Sequence, residues 1–174
     1  MAIGTFLFRL GLLWLVGNCV RLTLLAVPPL LPQIHRSLPL NEFLVGALAS
    51  VPILLLATAT LLGSLLIARF GARRAVLLGL SLIAAGGALR GFGPSLTTLF
   101  AMTIVMGVGI AIVQPSMPSL VALWLPRRVG VATAAFSNGL LIGEILPAAL
   151  TVPWILALAG GSWESALAFW SVPV

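Results

Sequence analysis

The chain has 174 residues, 61% apolar and 7% charged, with a formal net charge of +6, whereas an ordinary soluble domain is about 25% charged. Lys, Asp and Tyr are absent, and the charged set is nine Arg and three Glu. So little polar surface excludes a soluble globular domain. The Arg residues, scattered singly or in pairs among apolar runs, form no basic face that could follow a phosphate backbone, so no nucleic-acid partner is expected.

The same inventory removes most enzyme chemistry. One His (His35), one Cys (Cys19) and no Asp cannot build a metal cluster. A Ser-His-acid triad would have to use His35, beside Arg36, with Glu42 as the only nearby acid. A glycine-rich phosphate loop with its following Lys is ruled out because there is no Lys. No catalytic residue, metal or cofactor is expected. The chain reads as an all-α, multi-pass membrane protein whose first partner is the lipid bilayer.

A membrane-crossing helix needs roughly 20 apolar residues. In chain order the predicted spans are 6–31, interrupted by Asn18 and Arg21, then 43–68, 75–89, 96–125, 131–158 with Glu144 inside, and 163–174. A turn at Gly91-Phe92-Gly93-Pro94 precedes the fourth. The last segment would rise only about 18 Å at 1.5 Å per residue, against a hydrocarbon core of about 30 Å. The expectation is five complete spans and a truncated sixth. The first apolar stretch is long enough to span and lacks a small-residue cleavage site, so it reads as a retained helix.

Arg counts in the links set the orientation. Arg9, Arg69, Arg73, Arg74, Arg127 and Arg128 make six at one set of ends, against two, Arg36 and Arg90, at the other. That places the N-terminus in the cytoplasm; the expected location is the cell (inner or plasma) membrane. An internal repeat is also suggested. Pro29-Leu30-Leu31-Pro32 and Pro115-Ser116-Met117-Pro118 fall late in the first and fourth spans, which cross in opposite senses, as inverted three-helix repeats do.

The link after the second span, Gly63-Ser64-Leu65-Leu66-Ile67-Ala68-Arg69-Phe70-Gly71-Ala72-Arg73-Arg74, resembles the signature loop of the major facilitator superfamily, Asp-Arg-x-Gly-x-Arg-Arg. Arg69, Gly71, Arg73 and Arg74 match, and Ala68 stands where the family has Asp. The stretches Arg21 to Ile34 and Gly107 to Ser119 resemble the first and fourth helices of the cyanate permease and 2-nitroimidazole transporter branch. That branch commonly has Asn two places before the Arg; here the place is Cys19, with Asn18 one earlier. The resemblance implies the N-terminal six-helix half of a carrier of small solutes, a C-terminal six-helix half as its partner, and a gating loop at Arg69, Gly71, Arg73 and Arg74. The other reading of these arginines is simple anchoring at an anionic membrane face.

Arg21 lies near the middle of the first span, where a guanidinium needs a partner or a wet cavity. It either pairs with Glu144 or backbone carbonyls, or binds an anionic or electron-rich solute through its planar fork. Glu144, at similar depth in the fifth span, either completes that ion pair or carries a proton during transport. Gln114 and Asn18 are amides able to bind solute or to hydrogen-bond between helices. Arg90 reads as an interface anchor, and His35 and Cys19 as structural. Gly86, Gly87, Gly107, Gly109, Gly139 and Gly143 mark close helix contacts; Trp124, Trp154 and Trp163 suit an aromatic belt.

The expected function is therefore transport of a small polar or anionic solute by alternating access. A non-transporting membrane scaffold, or a small exporter acting as a dimer, are the alternatives.

Overall fold

A computed structural model of the chain describes residues 3–92 and 95–174, with the side chains of residues 59, 60 and 62 outside that description. In chain order the helices are α1 (Ile3–Leu25), α2 (Leu31–Ser37), α3 (Glu42–Phe70), α4 (Ala72–Leu89), α5 (Leu96–Trp124), α6 (Val129–Leu150), α7 (Leu156–Leu158) and α8 (Trp163–Ser171). Gly93 and Pro94 of the expected turn lie outside the described residues.

Proline decides where the long helices break. Neither Pro28 nor Pro29 has an N–H to give to the carbonyls of Leu24 and Leu25, so α1 ends and a 3-10 turn over Pro28–Leu30 leads into α2. The expected unbroken first span is thus a broken one that continues to Ser37. Pro153 interrupts the last part of α6 in another way. The helix widens into a π turn over Thr151–Ile155, which leaves room for the ring and the missing donor. Pro115 and Pro118 remain inside continuous α5, so the two proline motifs of the suggested repeat fold differently.

Among the described residues, four helical stretches are long and apolar enough to cross a bilayer: Ile3–Ser37, Ala72–Leu89, Leu96–Trp124 and Val129–Leu158. A fifth is α3, whose parts Glu42–Thr58 and Gly63–Phe70 meet at a bend of 49°. The expected five complete spans stand against four, or five with the bent helix taken as one span. Asn41 caps α3 by accepting from the Leu44 amide at 2.8 Å. The joint between α3 and α4 is Gly71 alone, at φ +81°, a left-handed conformation that glycine adopts without strain. Because that joint is so short, Arg73 and Arg74 belong to the first turn of α4 instead of preceding it.

The principal pairings are α4 with α5, α1 with α6, and α3 with α5. Two apolar clusters fill the interior. One, toward the arginine-rich end, joins Leu13, Val20, Ile83, Met106, Ile110 and Leu120. The other, toward the opposite end, joins Leu30, Ile34, Leu99, Trp163, Leu167 and Trp170. Trp163 is buried and donates to the Ser37 hydroxyl at 2.9 Å, so it is a core residue and not part of an aromatic belt; Trp154 stays exposed. Phe8, Ile53, Leu61, Leu123 and Leu141 face outward, the pattern of helices solvated by lipid tails or by another apolar surface.

Candidate functional site

The site grows out of the α1–α6 seam. A Cβ added to Gly143 would lie 2.7 Å from the Asn18 carbonyl oxygen and 3.1 Å from Arg21 Cβ. Gly17 and Gly139 are pressed in the same way against the carbonyls of Phe136 and Trp14. Only residues without a side chain allow two backbones so close. Trp14 Nε1 donates to Asn138 Oδ1 at 2.9 Å across the same seam.

Glu144 follows Gly143, so its carboxylate starts from backbone already touching Arg21. Arg21 Nη1 and Glu144 Oε1 are 3.3 Å apart, with side chains 30% and 39% exposed. This pair is reachable, neither sealed in a dry core nor fully wet, so a competing anion can approach the guanidinium. Arg21 Nε is buried and has no hydrogen-bond partner, so part of the fork remains unused.

On its other side Arg21 lines a cavity of about 250 Å³ bounded by α1, the Pro28–Leu30 turn, α3, α4 and α5. Arg90 and Thr103 supply the other polar side chains of that wall; Leu48, Pro52 and Val27 are among its apolar lining. Arg90 corrects the sequence expectation of an interface anchor. It is 1% exposed and donates through Nη2 to the Thr23 carbonyl of α1. Its burial follows from the glycines around it. Gly87 lets Thr23 and Ser171 close in, and Gly91 packs on the backbone of Glu164.

The remaining candidates are distributed. Asn18 is buried, and its amide donates back to the Trp14 carbonyl at 3.3 Å. It stands one turn below Arg21 on the seam but outside the cavity lining. Gln114 is half-buried on α5, eleven residues from Thr103, or about 16 Å along the helix, and is not in the cavity wall. The structure therefore brings Arg21 and Glu144 together and leaves Gln114 apart from them. Arg69, Arg73 and Arg74 are exposed around Gly71. The Arg69 guanidinium lies 5.7 Å from the Phe70 ring centre, and Arg73 lines a cleft of about 520 Å³ with Arg9 and Trp124. Cys19 Sγ contacts the Pro173 carbonyl at 3.3 Å, and His35 is exposed on α2. Arg90 is the residue that sequence reasoning missed. The signal available was an Arg flanked by Gly86, Gly87 and Gly91, residues that let neighbours cover it.

The Major Facilitator Superfamily profile matches residues 13–174. The chain is 32% identical over 159 residues to the "Cyanate transport protein CynX" of Escherichia coli (strain K12), covering 91% of this chain and 41% of that protein. It is 34% identical over 153 residues to the "2-nitroimidazole transporter" of the same organism, covering 88% of this chain and 38% of that protein. It is 29% identical over 168 residues to the "Uncharacterized transporter YycB" of Bacillus subtilis (strain 168), covering 97% and 41%. The chain thus spans about two fifths of the length of the curated relatives it matches. No solved structure gives a significant match. A multi-pass helical architecture, the matching family profile and transporter relatives agree: the chain belongs to the Major Facilitator Superfamily.

Proposed function

We propose that these residues form the N-terminal wall of a carrier that moves a small anionic or electron-rich polar solute by alternating access, rocking against a C-terminal six-helix half. The observation that carries this reading is the Arg21–Glu144 pair, 3.3 Å apart and partly exposed, with Arg21 also facing a cavity. A fixed planar fork suits linear or planar solutes that offer two acceptor atoms. Relatives named for cyanate and 2-nitroimidazole transport support that solute class.

In this mechanism Glu144 and the solute compete for Arg21. With the carboxylate ionised, the pair holds Arg21 in place. Proton uptake by Glu144 frees the guanidinium for the solute, and release of the solute lets the pair re-form. Asn18 and Gln114 are proposed as further polar contacts along the path. Arg69, Gly71, Arg73 and Arg74 form the gating loop at the cytoplasmic face, with the N-terminus on the same side.

The test is solute flux through the carrier comprising this segment and its C-terminal half, reconstituted in liposomes with cyanate as the probe. Arg21→Lys keeps the charge and loses the bidentate fork. The proposal expects at least a tenfold loss of saturable uptake at normal expression. Uptake at the unsubstituted level would overturn Arg21 as the solute ligand.

A further inference from the structure

We propose that Arg90 is a second anion-binding residue, and that Arg21 and Arg90 together make the cavity between α1, α3, α4 and α5 a chamber for one small monovalent anion. This rests on the reading of Arg21 as a solute-binding group, and extends it to a residue and a chamber contained entirely in these 174 residues.

Arg90 is 1% exposed, and no carboxylate lies within ion-pair distance of it among the described residues. A buried guanidinium without a counter-charge is costly, because little replaces its lost hydration. Some compensation is present. Arg90 follows the C-terminus of α4, and its Nη2 takes the Thr23 carbonyl in the last turn of α1, so two helix ends direct carbonyl dipoles toward it. That contact uses only part of the fork, because Arg90 Nε is buried and has no partner.

Arg21 shows the same deficiency. Its Nε is also buried and unpartnered, while Glu144 meets Nη1 from the α6 side. Arg21 precedes Thr23 by two residues on α1, a rise of about 3 Å. The backbone group that anchors Arg90 is therefore at nearly the same height as Arg21, and both side chains line the one cavity. No acidic side chain is in its wall. The Thr103 hydroxyl already donates to the Leu99 carbonyl at 2.7 Å, which leaves the two guanidinium groups as the free donors.

The chamber selects by charge and hydration. Its volume is about 250 Å³ and the rest of its wall is apolar, including Leu48, Pro52 and Val27. Such a wall favours a small, weakly hydrated monovalent anion and penalises a divalent one that must keep its water. The lining comes from α1, the Pro28–Leu30 turn and the start of α2, α3, Arg90 at the end of α4, and α5, so binding is tested on this chain itself.

The test is equilibrium binding of radiolabelled cyanate to the purified 174-residue chain in nanodiscs, with sulfate as competitor. Binding is read promptly with fresh cyanate, before it carbamylates the N-terminal amine or the ammonium of a Lys variant. Saturable binding that sulfate fails to displace is expected. Arg90→Gln should weaken it at least tenfold, with the melting temperature in the absence of anion measured in parallel. If Arg90→Gln does not fold, Arg90→Lys serves, with an intermediate loss expected because charge stays and the fork goes. Unchanged affinity in whichever of these variants folds overturns the role of Arg90. If Arg21→Gln alone abolishes binding while Arg90→Gln does not, the Arg21 reading stands and this inference falls. Absence of cyanate binding to the unsubstituted chain overturns the chamber, and leaves the flux test of Arg21 to be judged separately.

Discussion

Gly143 stands directly against Arg21: a Cβ on the glycine would sit 3.1 Å from that of the arginine, and the next residue, Glu144, closes a 3.3 Å ion pair with it. The packing of α1 on α6 and the charge pair are thus one device, since the closeness of the backbones sets how far Glu144 must reach.

Widening this seam should damage both. Gly143→Val places methyl groups against the Asn18 carbonyl and Arg21 Cβ, and overpacking of this kind costs about 1–3 kcal/mol. Thermal unfolding in detergent should show that loss, and flux should fall with it. Gly130→Ala, at a glycine with nothing within 4 Å of an added Cβ, should leave both unchanged and serves as the control.

Topology is open to single-cysteine labelling in a Cys19→Ser background. Gly130→Cys, beside the Arg127–Arg128 link, should react with an impermeant thiol reagent only from the cytoplasmic side. His35→Cys, an exposed position on α2, should react only from outside. Labelling of both from one side would contradict the orientation read from the arginines.

Glu144→Gln tests proton coupling. In the proposed competition a neutral residue at 144 can no longer hold Arg21 in a proton-dependent way. Uptake in the variant should therefore continue down a solute gradient but lose its response to an imposed pH gradient. A full response to the pH gradient would remove Glu144 from the coupling step.

On the proposed reading, these residues offer one wall of a path between two halves. The 174-residue segment in liposomes should bind anion without catalysing saturable uptake, and co-reconstitution with a C-terminal half should restore uptake. Saturable uptake by the segment alone would favour a small exporter acting as a dimer.

How much of this was legible in the sequence depends on what each feature is made of. Span positions follow from apolar length, which is local, so the helices fall close to their expected places. The start of α4 moves to Ala72 because Gly71 alone makes the turn, and arginines tolerate a first helical turn at a membrane edge by extending toward water. The break at Pro28–Leu30 was written in two consecutive residues lacking a donor, yet the apolar run continued across them and suggested one helix. Arg21 and Glu144 could be matched by depth alone, because α1 and α6 cross in the same sense. Arg90 could not be placed this way. Its burial depends on Gly87 and Gly91 admitting α1 and the Glu164 backbone, contacts between segments distant in sequence. Gln114 lies apart from the Arg21 cavity because the cavity meets α5 at Thr103, about 16 Å away along the helix, a level that only the packing of α1, α3 and α5 fixes.

The most direct measurement is flux in the double variant Arg21→Gln with Glu144→Gln, reconstituted with the proposed C-terminal half. Removing both charges together leaves no uncompensated ion in the seam, so a purely structural pair would be dispensable in this form. The expected result is a carrier that folds, with a melting temperature near that of the unsubstituted protein, and transports at most a tenth as much cyanate. Recovery of unsubstituted flux in the double variant would contradict it, and would leave Arg21 and Glu144 as a structural ion pair only.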